Sequence, residues 1–177
     1  MQEKRGRKGK VRNVKNEMEI LFDGVSENEG FARVAVAAFV THLNPTLEEL
    51  DDIKTAVSEA VTNAIIHGYG NLEGYGGEGK QKLKLLPVHP GKVRLHCLLE
   101  EDILHIEIED QGRGIADVDK AMIPLYTSRP DLNRAGMGFA LMEAFMDELE
   151  VESTLGKGTV VRMKKKMEAG DWIKEGD

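Results

Sequence analysis

The stretch Thr46–His67, TLEELDDIKTAVSEAVTNAIIH, decides the fold. Thr46 followed three residues later by Glu49 is a capping box, so a helix opens here and runs to about Gly68. At about 100° per residue, Ile53, Val57, Ala60, Val61 and Ala64 gather on one side, the side a core would take. Glu59 and Asn63, four residues apart, lie together on the opposite side. A carboxylate and a carboxamide on a rigid support can face a cleft. Glu59 could take a proton from an attacking hydroxyl. Asn63 offers a neutral carbonyl oxygen that suits a hard cation such as magnesium. On the helix alone, a plain solvated face is the favoured explanation of the pair.

Upstream, Met18–Phe22 reads as a strand ended by Asp23-Gly24. Ser26 with Glu29 predicts a second capping box, opening a helix whose apolar stripe is Phe31, Val34, Ala35, Ala38 and Phe39. Residues 1–14 are basic without an apolar period and predict a disordered arm. Downstream, residues 70–91 are rich in glycine and predict a loop or flexible insert. Gly74–Gly79 in that insert matches GxGxxG, but no strand precedes it and no helix follows. The same run continues into Lys80-Gln81, where a phosphate-binding loop would need Ser or Thr in place of Gln81.

Two alternating segments come next, Val93, Leu95, Cys97 and Leu99, then Leu104, Ile106 and Ile108, joined as a hairpin at Glu100-Glu101-Asp102. Cys97 is in register with the apolar face and is expected in the core. A short helix is predicted at 117–122 and a longer one over Met137–Leu149. Residues 150–155 and 159–165 pair as strands across Gly156-Lys157-Gly158, and a polar tail, 167–177, follows. The order β, α, α, ββ, loop, α, ββ predicts an α+β protein: a mixed sheet with helices on one face.

A chain of 177 residues suits one domain. The formal net charge of -7 argues against a direct nucleic-acid partner. One cysteine excludes an internal disulfide and a Cys-based zinc cluster. No apolar run approaches the ~18 residues of a membrane span, so a cytoplasmic location is expected.

Two glycine turns extend the argument. Asp110-Gln111-Gly112-Arg113-Gly114 directly follows a strand; an ionised Asp only accepts hydrogen bonds and can receive the exocyclic amine of adenine. Arg134-Ala135-Gly136-Met137-Gly138 precedes a helix, whose N-terminal amides suit phosphate oxygens. Gly158-Thr159 opens the last strand.

The ordered set Glu59-x-x-x-Asn63, Asp110-x-Gly112-x-Gly114, Gly136-x-Gly138 and Gly158-Thr159 resembles the four sequence boxes of the GHKL ATPase superfamily. Within it, the stretches KNEMEILFDGVSENEGFARVAVAAF, IKTAVSEAVTNAIIHGYGN and PLYTSRPDLNRAGMGFALMEAFMDELEVES resemble the sporulation anti-sigma F factor family, stage II sporulation protein AB. The resemblance implies a Bergerat-type two-layer α/β sandwich over residues 15–166 that binds ATP and Mg2+. It also implies a homodimeric serine kinase that holds sigma F inactive and phosphorylates an anti-anti-sigma partner. By position, Glu59 resembles the general base and Asn63 the magnesium ligand. Asp110 resembles the adenine-binding carboxylate, with Gly112 and Gly114 beside it. Residues 116–135 resemble the ATP lid, with Thr127 and Arg134 as phosphate contacts. Gly136, Met137 and Gly138 resemble the lid's phosphate-binding end, and Thr159 the nucleotide-pocket threonine. Arg33 resembles the arginine of the partner-binding surface.

The family's link after HGY is short, which marks 70–91 as an insert. The family begins M-K-N-E-M and this chain reads Val14-Lys15-Asn16-Glu17-Met18; translation from Val14 is therefore expected. Two alternatives stay open: an ATP-gated anti-sigma binder without kinase activity, and a stress-response anti-sigma kinase for another sigma factor.

Overall fold

A computed structural model describes residues 15–70, 91–124 and 136–168. The expected arm, the GxGxxG run, Thr127, Arg134 and the tail from 169 on lie outside the described residues. Five strands form one sheet: β1 (Lys15–Asp23), β2 (Lys92–Glu100), β3 (Ile103–Asp110), β4 (Glu148–Thr154) and β5 (Gly158–Lys166), in the order β1-β2-β3-β5-β4. Every pair is antiparallel. The two-layer α+β class therefore stands, while the mixed sheet is corrected. Both hairpins, β2–β3 and β4–β5, have tight turns, and a strand joined by a tight turn can only return antiparallel.

Among the described residues the α-helices are α1 (Glu27–Val40), α2 (Leu47–Asn63), α3 (Val118–Ala121) and α4 (Gly138–Phe145). The inward sheet residues Val93, Leu95, Cys97, Leu99, Leu104, Ile106 and Ile108 are fully buried, as the alternation predicts. They meet Ile53, Ala56, Val57, Ala60 and Val61 of α2. Helix α2 packs against both α1 and α4, so it is the centre of the helical layer. Burial pushes the Cys97 thiol up to about 12, consistent with a core side chain.

The stripe on α1 is displaced from the expected one. Ala32, Val36 and Val40 are buried, whereas Phe31 and Val34 are 52% and 61% exposed. The start of the helix also differs from the expected one. Ser26 is in the helical region and its side chain makes no capping bond. Glu29 instead accepts a hydrogen bond from Ser58 on α2 and pairs with Arg33 at 3.4 Å. Helix α1 is thus oriented by α2 rather than by a cap. The capping box of α2 is complete: Glu49 N–H donates to Thr46 at 3.1 Å, and Thr46 N–H to Glu49 at 2.7 Å.

Helix α4 is shorter than expected, because residues from Glu148 enter β4. Lys165, at an inward position of β5, donates to the Phe145 carbonyl at 2.7 Å and to Asp52 at 3.1 Å. A cation at a helix C-terminus is favourable, and here it also ties α4 to α2. The opposite sheet face carries ion pairs instead of helices. Arg94 reaches Glu107 and Glu109, and Arg162 reaches Glu107 and Glu152.

Thr46→Ala should cost about 1 kcal/mol of unfolding free energy, while Ser26→Ala should be close to neutral. Urea unfolding of both variants checks this; equal losses would contradict the contrast between the two helix starts.

Candidate functional site

Past Asn63 the helix widens into a π-helical turn, Ala64–Tyr69. Such turns redirect side chains and accompany functional sites. This one brings Gly68 against Asp110: a Cβ on Gly68 would lie 2.8 Å from Asp110 Oδ1. Gly112 packs directly on the Gly68 backbone, where any side chain would overlap it, and Arg113 N–H donates to the Gly68 carbonyl at 3.0 Å.

Asp110 ends β3 on the inward side, the position that follows Leu104, Ile106 and Ile108. The alternation therefore places a carboxylate where the core would take an apolar residue, and Asp110 is 5% exposed. Burial raises its carboxyl to about 6; the amides of Gly112 and Thr159 oppose the rise and the charge of Glu109 adds to it. Gly112 N–H donates to Asp110 Oδ1 at 2.8 Å. Gly158 sits opposite with φ +108°, and a side chain there would overlap the Asp110 carbonyl. Thr159 shares a hydroxyl contact of 2.9 Å with Ser153, and Ser153 Oγ accepts from Ile115 N–H at 2.8 Å.

These elements surround a cleft of about 890 Å3. Glu59, Asn63, Asp110, Gly114, Gly136, Met137, Gly138 and Thr159 all line it, as do Arg113 and Lys120. Glu59 and Asn63 close one end: a Cβ on Gly138 would lie 2.9 Å from Glu59 Oε2 and 3.3 Å from Asn63 Nδ2. Gly112 does not line the cleft but supports its floor from beneath. Arg33 lies on α1, outside the cleft. Ile108 and Val161 of the sheet and Leu155 of the β4–β5 turn give the Asp110 side an apolar lining. An apolar-lined cleft with a buried carboxylate, joined to a glycine-rich helix start and a carboxylate–carboxamide pair, fits an adenine nucleotide.

Comparison with known proteins supports the same conclusion. Residues 27–165 match the histidine kinase-like ATPase domain. The anti-sigma F factor of Clostridium novyi is 54% identical over 154 residues, covering 87% of this chain and 96% of the relative. The chain belongs to the anti-sigma F factor family. The anti-sigma F factors of Clostridium acetobutylicum, 54% identical over 86% of this chain and 95% of the relative, and of Oceanobacillus iheyensis, 53% identical over 87% and 94%, agree. The fold is similar to a crystal structure of the RsbU and RsbW domains of a Mycobacterium tuberculosis protein. The TM-score is 0.55 at 17% identity, over 86% of this chain and 32% of that one, a likeness of fold alone. Among the described residues no helix is long and apolar enough to cross a membrane.

For this anti-sigma F family member, sequence reasoning missed Gly68, Tyr69 and Ser153. Ser153 was accessible in principle, since the hairpin register sets it opposite Thr159. Gly68 and Tyr69 were not, because their placement depends on the widened turn after Asn63.

Asp110→Asn should stabilise the protein at pH 7.5. The folded-state pKa is raised, so Asp110 favours folding only when protonated. That contribution is full below pH 3.8 and lost as pH rises through about 6. A rise of roughly two units corresponds to at most about 3 kcal/mol. Thermal melting from pH 4 to 8 should show the variant's advantage at high pH and its disappearance near pH 4.

Proposed function

We propose that the protein is an ATP-dependent serine kinase and an anti-sigma factor, which binds and inhibits a sigma factor of the sigma F type and phosphorylates a serine of an anti-anti-sigma partner. The observation that carries this reading is the convergence of Glu59, Asn63 and Asp110 on one cleft. Its family membership supports the sigma partner, since the relatives are named anti-sigma F factors. On this reading the working unit is residues 15–166, acting as a cytoplasmic homodimer without direct nucleic-acid contact.

The residues divide the work by position. Asp110 accepts the exocyclic amine of adenine, and the walls of Ile108 and Val161 exclude water from that contact. Asn63 would hold magnesium through its side-chain oxygen, and the amides of Gly136, Met137 and Gly138 at the start of α4 would receive the phosphates. Thr159 sets the Asp110 carboxyl through its backbone amide. Thr127 and Arg134, outside the described residues, are the proposed further phosphate contacts. When bound, ATP supplies the phosphoryl group and magnesium neutralises its charge. Glu59, beside Asn63, accepts the proton of the serine hydroxyl. Arg33, with its side chain 47% exposed, belongs to the partner-binding surface.

Incubation with an anti-anti-sigma protein and labelled ATP should give phosphoserine on that protein. Glu59→Ala should slow the transfer by roughly 10²- to 10⁴-fold while nucleotide still binds; full activity would remove Glu59 from the role. Absence of any transfer by the unaltered protein would favour an ATP-gated binder. Asp110→Asn should weaken ATP binding itself, measured by titration with a fluorescent nucleotide, in contrast to its gain in stability.

A further inference from the structure

We infer that Tyr69 is a positioning residue that sets the preference for adenine by holding the turn through which Asp110 reads the base. The inference rests on the nucleotide-binding reading above. Gln111, Gly112 and Arg113 present three consecutive backbone N–H groups beneath the cleft, and each has a different acceptor. Gln111 N–H donates to the Tyr69 hydroxyl at 2.7 Å, Gly112 N–H to Asp110 Oδ1 at 2.8 Å, and Arg113 N–H to the Gly68 carbonyl at 3.0 Å. Two of the three acceptors therefore come from the π-helical turn, and the third is the base-reading carboxylate itself. The orientation of Asp110 depends on the amide of Gly112, and that amide is held between the other two.

The tyrosine is built into its place. Its hydroxyl accepts from Gln111 and donates to the Lys92 carbonyl at 2.6 Å, so both of its hydrogen-bonding capacities are used within the protein. Burial pushes its phenol above the ordinary tyrosine value. The ring lies against Gly24 and Gly91; a Cβ on Gly24 would come within 2.8 Å of it, and one on Gly91 would overlap it. Gly24 N–H in turn donates to the Gly91 carbonyl at 2.6 Å. One side chain thus ties the end of β1, the start of β2 and the Asp110 turn together.

Hydrogen bonds weaken steeply with misalignment. A turn that loses one of its three anchors lets the Asp110 carboxylate swing relative to a bound base. The loss should fall on the contact to the 6-amino group, and not on the phosphates, which are held at the other end of the cleft. Inosine triphosphate, which carries a carbonyl oxygen in place of that amino group, separates the two.

The test is titration of the full chain and of Tyr69→Phe with ATP and with inosine triphosphate. The phenylalanine ring keeps the packing against Gly24 and Gly91 and deletes only the hydroxyl. The expected result is a drop in the ATP-over-inosine preference of roughly 3- to 10-fold, the worth of one hydrogen bond. Affinity for inosine triphosphate should change little. A purely structural role would weaken both nucleotides alike and leave their ratio unchanged, which would overturn the inference while the nucleotide reading stood. If the unaltered protein itself showed no preference for ATP, the role of Asp110 would fail and this inference with it.

Discussion

A carboxylate sits where the alternation of β3 calls for a core side chain, and the surrounding structure is arranged to keep it there. Asp110 is almost fully buried, and burial alone disfavours its charged form. Two backbone amides offset part of that cost. They can approach because Gly112 and Gly158 carry no side chain at the points of closest contact. A third glycine, Gly68, lets the helical layer come down on the same carboxylate. The site is therefore less a hole in the fold than a place where sheet and helix backbones meet around one acceptor.

Helix α2 supplies the other half of the constraint. Its buried face, Ile53 to Val61, is clamped between the sheet, α1 and α4, so the direction of its opposite face is not free. Glu59 and Asn63 point into the cleft because the apolar stripe leaves them no other orientation. Lys165 then settles where α4 lies, since it joins the last carbonyl of that helix to Asp52 of α2. The start of α4 is thereby set against Glu59 and Asn63, and Gly138 is the residue that fits. A long-range ion pair at one end of the helix thus positions a binding element at the other.

Where a single local rule governed, the sequence was legible. The alternation in β2 and β3 marked every buried apolar residue of that hairpin, Cys97 included, and the Thr46–Glu49 box marked the start of α2. Eight residues named from the motifs line one cavity. Failures occurred where two elements compete for one group. Glu29 was expected to cap α1 and instead serves Ser58 and Arg33, and the buried stripe is Ala32, Val36 and Val40. Met146 to Leu149 were read as helix although α4 ends at Phe145 and β4 begins at Glu148, because apolar spacing does not show where a sheet edge will recruit the backbone. The π-helical turn has no periodic signature at all, and the parts of the site that depend on it stayed hidden.

The cross-links around the Asp110 loop also explain why that end of the cleft is fixed. The loop from Gln111 to Ile115 is held on one side by Tyr69 and Gly68. On the other it is held by the β4–β5 hairpin, through Gly156 N–H to the Arg113 carbonyl at 2.7 Å and Ser153 to Ile115. The π-helical turn restrains it on one flank and the β4–β5 hairpin on the other. Helix α3 follows with a single turn, capped by Asp117, and none of its residues is buried. Within the described residues, restraint therefore falls from the loop beside Asp110, which is cross-linked on both flanks, to α3, none of whose four residues is buried.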